Sequence, residues 1–309
     1  MNLPARGRAA GKVILLGEHA VVYGRPALAA GIGLGLEVEV TAGTGPARFE
    51  SDRPELADDP RPACLVADAA AALGIAGRDL VVRVRSELPA GAGLGSSAAL
   101  AVAVVRALAA ATGRVVGRDE ELALGRRLES IFHGQSSGID PAAAMSDGGL
   151  FRFTRGEPPS IVPLRPARSL PMVIALGDRA RSTGGAVGGL RARWETERAR
   201  YERLFDRVGA VVEDGAVAVE AGDLDALGRA FDRNQALLGE IGVSTPEVEA
   251  RVLAARRAGA LGAKLTGGGA GGAVLAITPE PERVAAALAA EGVRTLVVKV
   301  AGAVEGRAA

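Results

Sequence analysis

Residues 89–98 read PAGAGLGSSA, three glycines and two adjacent serines set directly before a long alanine-rich stretch. Glycine at 91, 93 and 95 lets backbone approach a ligand with no side chain in the way. A helix starting just after them presents unpaired N–H groups and the positive end of its dipole. Together these features make a phosphate cradle, and the hydroxyls of Ser96 and Ser97 in the first turn suit a phosphate oxygen or Mg2+, which prefers oxygen ligands. The same residues also describe a glycine turn with a serine N-cap, and the stretch alone leaves both open. It is not a Walker A loop, because no Gly-Lys-Ser/Thr follows, and GxGxxG fails because its third position falls on Ser96.

Working outward, SAALAVAVVRALAAA (Ser97 to Ala111) is apolar nearly all round, which predicts a buried helix stopped by Thr112-Gly113. Upstream, LEVEV at 36–40 and LVVRVRSEL at 80–88 alternate with period two, and KVILL at 12–16 is a short apolar run between glycines; all three predict strands. Downstream, leucine spacing predicts a helix from Asp119, as N-cap, to Phe132, running into the polar loop HGQSSGID at 133–140. LFRFT at 150–154 reads as a strand. The proline-bearing EPPSIVPLRPARSLP at 157–171 is the sharpest composition break, which predicts two domains, 1–165 and 166–309. Beyond it, MVIAL reads as a strand, Leu190 to Val219 as one long or broken helix, and Asp223 to Ile241 and Pro246 to Ala258 as two more. The strand GAKLT, a glycine turn, AVLAI, a helix from Pro281 to Ala290 and the strand TLVVKV complete a two-layer α+β pattern.

A chain of 309 residues with 48% hydrophobic and 24% charged side chains is globular, and no apolar run approaches the ~18 residues that span a bilayer. The N-terminal MNLPARGRAAGKVILLGEH has too short an apolar run for a signal peptide, so a cytoplasmic protein with no membrane partner is expected. Thirty-seven basic against 36 acidic residues and nine aromatics argue against nucleic acid as a partner. The single cysteine, Cys64, sits in PACLVADAAAALG and is expected to be a small buried hydrophobe. Only three cations are lysine, namely Lys12, Lys264 and Lys299. Wherever a generic positive charge suffices this chain uses arginine, so Lys12 and Lys264, both beside glycine motifs, are candidates for a specific requirement, whereas Lys299 ends a strand and reads as incidental. TGGGAGGA at 266–273 matches GxGxxG, but a strand follows where a dinucleotide fold demands a helix, which argues against an NAD-binding oxidoreductase.

Three elements in order, AGKVILLGEHAVVYGRPALAA at 10–30, PAGAGLGSSAAL at 89–100 and KLTGGGAGGAVLAI at 264–277, resemble the three signature motifs of the small-molecule kinase superfamily of galactokinase, homoserine kinase, mevalonate kinase and phosphomevalonate kinase. The resemblance spans almost the whole chain, and the three motifs at these separations are highly specific together. Within the superfamily the chain is most similar to the mevalonate kinases. KVILLGEHAVVYG is similar to their first motif, HGQSSGID to their HGxPSGID loop, and DRARSTGG at 178–185 to a strand-end threonine motif; galactokinases typically follow Glu-His with Thr-Asp.

The resemblance implies an α+β fold of two domains, an N-terminal ribosomal-protein-S5-like α/β domain and a C-terminal ferredoxin-like domain, with the active site in the cleft between them. It implies ATP-dependent phosphorylation of the C5 hydroxyl of mevalonate, with phosphomevalonate kinase as the runner-up, in a monomer or homodimer whose cofactors are ATP and Mg2+. Asp140 would be catalytic with Lys12 near the reacting hydroxyl, and Glu129 and Ser97 would hold Mg2+. Pro89, Gly91, Gly93, Leu94, Gly95, Ser96 and Ser97, with Gly268 and Gly269, would line the nucleotide. His19, Ser137 and Thr183 would contact substrate, and Arg152 is a candidate partner for the mevalonate carboxylate, the alternative being an ordinary surface arginine. Taken without the other motifs, Asp140 reads rather as a turn residue beside Gly138 and Glu129 as part of a solvated helix face. Three positions depart from the family: AAGK stands for APGK, Ser136 for the proline of HGxPSGID, and Pro141 follows Asp140 where many relatives carry asparagine. The first two are expected to change loop stiffness more than chemistry.

Overall fold

The computed structural model describes residues 1–300 apart from 54, 55, 57, 76, 77, 90, 134, 135, 178–182, 270 and 271, and describes 78, 133 and 183–188 by their backbone only. The chain divides into two compact units. The first holds Met1–Lys12, Gly33–Ala90 and Leu94–Asp147, the second Val13–Ile32, Gly91–Gly93 and Gly148–Ala309.

Two long strands, β1 (Ala5–Leu16) and β2 (Ala27–Pro46), pair with each other and contribute residues to both units. In the first unit β2 runs antiparallel to β4 (Arg78–Ser86) from Leu36 to Ala42, and β3 (Arg48–Ser51) lies parallel to β4. Against this sheet region the unit sets α1 (Pro60–Ala72), α2 (Ser96–Thr112), α3 (Arg118–His133) and the short α4 (Ile139–Ala144). Helix α2 is buried from Ala98 to Val105 without a break, as its all-round apolar sequence predicts, because α1, α3 and α4 all pack on it.

In the second unit β2 pairs through Ala27–Ala30 with β5 (Leu150–Thr154), and β5 forms a hairpin with β6 (Ser160–Leu164). A separate antiparallel sheet has the order β10-β7-β9-β8, formed by β7 (Leu170–Ala175), β8 (Gly262–Leu265), β9 (Val274–Ile277) and β10 (Thr295–Val300). This is the ferredoxin-like order. Its helices are α5 (Thr183–Thr196), α6 (Arg198–Ala221), α7 (Leu224–Ile241), α8 (Pro246–Arg257) and α9 (Pro281–Ala290). Two glycines let α7 lie directly on β8: a Cβ added at Gly262 would stand 2.0 Å from the carbonyl oxygen of Gly228.

Several expectations are corrected. The division falls at Asp147–Gly148, not at 165, because the β5–β6 hairpin pairs with the part of β2 that belongs to the second unit. The proline-bearing stretch is therefore not a linker; Pro163 is tolerated on β6 because that strand pairs only with β5 and is an edge. Cys64 is exposed, since the buried face of α1 is Pro62, Leu65, Val66, Ala69 and Ala70, and position 64 points the other way. Helix α3 starts at Arg118, so Asp119 lies in its first turn, where it favours the dipole, and is not the N-cap. Of the two forms expected from Leu190 to Val219, one long helix or a broken one, the broken one is found, divided at Glu197 between α5 and α6. Among the described residues no helix is long and apolar enough to cross a membrane.

Candidate active site

In the first unit β1 delivers Lys12 to the start of α2. The backbone N–H of Lys12 donates to the Leu94 carbonyl at 2.9 Å, fixing the strand against the glycine loop. Gly95, at φ 77°, is the N-cap of α2, so the serine-cap reading does not hold; Ser96 and Ser97 occupy the first turn, half-buried. A Cβ at Gly95 would lie 2.5 Å from Lys12 Cγ, which means that the glycine leaves room for the lysine stem. That stem is buried, and Lys12 Nζ meets Asp140 Oδ2 at 3.1 Å. Asp140 stands in the first turn of α4, whose N-cap Gly138 has φ 89°, and keeps a quarter of its side chain exposed.

Glu129, on α3, is 3% exposed. Burial, reinforced by the charge of Asp140, raises its carboxyl to about 8, while a hydrogen bond from Ser136 and the charge of Lys12 pull the other way. Ser136 Oγ donates to Glu129 Oε2 and accepts the Gly138 N–H at 3.1 Å, a link no sequence pattern announced. Ser137 Oγ accepts the Ile139 N–H at 3.4 Å at the start of the same helix. Among the described residues no group of three or more His, Cys, Asp or Glu side chains could hold a metal ion.

The second unit holds another cluster, on the residues that follow Lys12. Gly17, at φ 98°, leads into Glu18 and His19, and His19 itself has φ 63° before the 3-10 turn Ala20–Tyr23. Glu18 and Lys264 form an ion pair in which neither side chain has any exposure. Lys264 Nζ also donates to the carbonyls of Ile14, at 3.4 Å, and Leu265. Asn234 Nδ2 donates to the other Glu18 oxygen at 3.0 Å, and Thr266 Oγ1 both donates to and accepts from the Ile14 backbone. Burial pushes the Glu18 carboxyl up, against the charge of Lys264 and its hydrogen bond.

His19 is 6% exposed, and burial lowers its pKa to about 4; a hydrogen bond with the Gly268 backbone opposes the shift, and the charges of Lys264 and Arg193 add to it. Its Nε2 is buried with no hydrogen-bond partner among the described residues. The bond to Gly268 is thereby assigned to Nδ1, and because burial holds the pKa near 4 the ring is neutral at pH 7, with a lone pair on Nε2.

The structure thus brings Lys12, Asp140 and Glu129 together with Gly95 at the head of α2, and separately brings His19 to Gly268, the third glycine motif. Gly269 is held at φ 71°, where a Cβ would meet the Val243 carbonyl at 2.4 Å. The strand β9 follows this motif, as the sequence predicts, so no dinucleotide fold forms. The Arg152 guanidinium pairs with Glu213 at 2.9 Å, both side chains part-exposed. Thr183 begins α5, its side chain and residues 178–182 lying outside what is described. Lys299 is exposed, as an incidental lysine should be.

Residues 63–148 match the family described as GHMP kinases N terminal domain, and residues 216–294 match GHMP kinases C terminal. The mevalonate kinase of Thermococcus onnurineus is 34% identical, with 94% of each chain covered, and that of Pyrococcus horikoshii is 34% identical over 94% of this chain and 93% of its own. Among solved structures, the L. major mevalonate kinase in complex with R-mevalonate superposes with a TM-score of 0.88 at 26% identity, covering 98% of this chain and 99% of the other.

Proposed function

We propose, since this chain belongs to the GHMP kinase family, that it transfers the γ-phosphoryl group of ATP to the C5 hydroxyl of mevalonate in the cytoplasm. The observation that carries the reading is the 3.1 Å contact of Lys12 with a partly open Asp140 beside the glycine loop. Phosphoryl transfer asks a protein mainly for positioning and charge neutralisation. Asp140, held by Lys12 and by its place in α4, accepts or orients the proton of the attacking hydroxyl. Lys12 stabilises negative charge on the transferring group or the developing alkoxide, as a point charge where the wide fork of arginine would not fit. Gly91, Gly93 and Gly95 would admit the phosphates to the N–H groups of α2, with Pro89, Leu94 and Ser96 shaping the loop; Gly268 and Gly269 are assigned to the nucleotide on the resemblance of their motif.

Glu129 and Ser97 would hold Mg2+. The fit is chemical: both offer oxygen, and a carboxylate whose charge is costly in its buried place is relieved by a divalent cation. When bound, the ion would neutralise phosphate charge. His19 Nε2, a lone pair without a partner among the described residues, would accept a hydrogen bond from a substrate hydroxyl; Ser137 and Thr183 are assigned to the substrate on the resemblance alone. Arg152, committed to Glu213, is the weakest of the substrate assignments.

An ADP-release assay over mevalonate, phosphomevalonate, galactose and homoserine tests the reading. Mevalonate is expected to support turnover alone; turnover on phosphomevalonate in its place would move the chain to the runner-up activity.

A further inference from the structure

Ser136 stands where the similar loop HGxPSGID has proline, and it does more than loosen the loop. A serine hydroxyl has one proton and two lone pairs. Here a lone pair is taken by the Gly138 N–H at 3.1 Å, which turns the proton toward Glu129 Oε2. One side chain therefore joins the buried carboxylate on α3 to the N-cap of α4, the helix that carries Asp140. Proline has neither the hydroxyl nor the backbone N–H, so a loop with proline cannot make this link and depends on its fixed φ instead.

We propose that Ser136 is a positioning residue for the Mg2+ site: by occupying Oε2 of Glu129 it stops the carboxylate rotating and leaves the other oxygen for the metal. The proposal rests on the reading of Glu129 as a metal ligand. Groups that orient a ligand in this way typically change metal affinity by about 10- to 100-fold when removed. The cost of keeping Glu129 in one orientation is small because Ser136 is itself fixed by Gly138 and is only half-buried.

The test is calorimetric binding of ADP with and without Mg2+ to the wild type and to S136A, S136T and E129Q, so that no turnover is needed. S136A is expected to weaken Mg2+-dependent ADP binding by about 10-fold or more, to leave metal-free ADP binding unchanged, and to be largely rescued by S136T, which keeps the hydroxyl. Wild-type binding by S136A alongside a loss in E129Q overturns the role of Ser136 alone. Wild-type binding by both variants removes Glu129 from the metal site and the proposal with it. Equal losses in S136A and S136T assign the effect to the backbone of the loop and overturn the part played by the hydroxyl.

Discussion

Lys12 meets Asp140 with a quarter of the aspartate side chain open, whereas Lys264 meets Glu18 where neither side chain has any exposure. Both are among the three lysines of a chain whose other basic side chains are arginine or histidine, and both lie beside glycine motifs. Their surroundings separate them. Lys264 donates to the Glu18 carboxylate and to the carbonyls of Ile14 and Leu265, so its charge holds the end of β1 to β8. Lys12 has its stem against Gly95 and its head at a carboxylate that is a quarter exposed, so this pair, unlike the other, reaches solvent through Asp140. The same chemical pair is thus structural when sealed and usable when open, and exposure is what distinguishes them.

The comparison breaks first if Lys264 can be neutralised cheaply. Removing one partner of a buried pair leaves the other charge uncompensated, at a cost of about 3–5 kcal/mol. Lys264→Met is expected to lose that much in urea unfolding, and Glu18→Leu combined with Lys264→Met to recover much of it, since two apolar groups leave no buried charge. A full-stability single variant would show that Glu18 is not ionised in the fold.

Next comes pH, where the two regions pull in opposite directions. Folded His19 titrates near 4, below its ordinary 6.5, so between those values the unfolded chain binds a proton that the folded chain refuses. Its contribution is complete above pH 6.5 and is lost as pH falls through 4, a change of about 3 kcal/mol. Folded Glu129 titrates near 8, above its ordinary 4.5, so without metal its contribution is complete below 4.5 and is lost as pH rises through 8. Denaturant midpoints measured from pH 4 to 8 should show the acid-side loss disappear in His19→Gln and the alkaline-side loss disappear in Glu129→Gln. Unchanged profiles in both variants would mean that neither group is as buried in solution as it is here.

Asp140→Ala follows, with an expected fall in kcat of roughly 100-fold, the scale of a positioned acid–base group and about 2.7 kcal/mol. Nucleotide affinity should survive, because the groups assigned to it are the glycine loop with the first turn of α2, Glu129 on α3, and Gly268 and Gly269, not Asp140; lost kcat with retained binding marks an interaction made chiefly in the transition state. Normal turnover would withdraw HGQSSGID from catalysis.

Which of these groups could be read beforehand follows from the range over which each interaction acts. Periodicity found α9 and β10 to the residue and placed most other elements, since it reports a local property of the chain. It missed β6, whose edge position makes a proline run acceptable, and it misjudged Cys64 because an apolar neighbourhood says nothing of which helix face a residue occupies. The domain boundary was hidden by β1 and β2 passing through both units. At the site, the family resemblance nominated Lys12, Asp140 and Glu129, which the fold does bring together. The roles of Glu18 and Asn234 depend on partners that only folding brings near, 216 positions apart along the chain, whereas Ser136 meets Glu129 and Gly138, seven and two positions away, through a loop geometry that periodicity does not report. The scarcity of lysine pointed correctly at Lys264 but could not say that its requirement is burial.

The finest test lies within the glycine loop. Gly93 and Gly95 both have positive φ, 72° and 77°, so alanine at either costs about 1–2 kcal/mol of backbone strain. They differ in what a Cβ would touch: nothing within 4 Å at Gly93, and the Lys12 stem at 2.5 Å at Gly95. The Lys12 Cγ is the middle of the side chain, so it cannot move aside without carrying Nζ away from Asp140. Gly93→Ala is therefore expected to lower stability and to raise KM for ATP while kcat stays near normal. Gly95→Ala should show the same strain and an additional fall in kcat of about 10-fold, or about 1.4 kcal/mol, from the displaced charge. Because the strain is common to both, the difference in kcat isolates the contact with Lys12. Equal kcat values would show that Gly95 is required for its backbone angle alone and that the lysine finds its place without it.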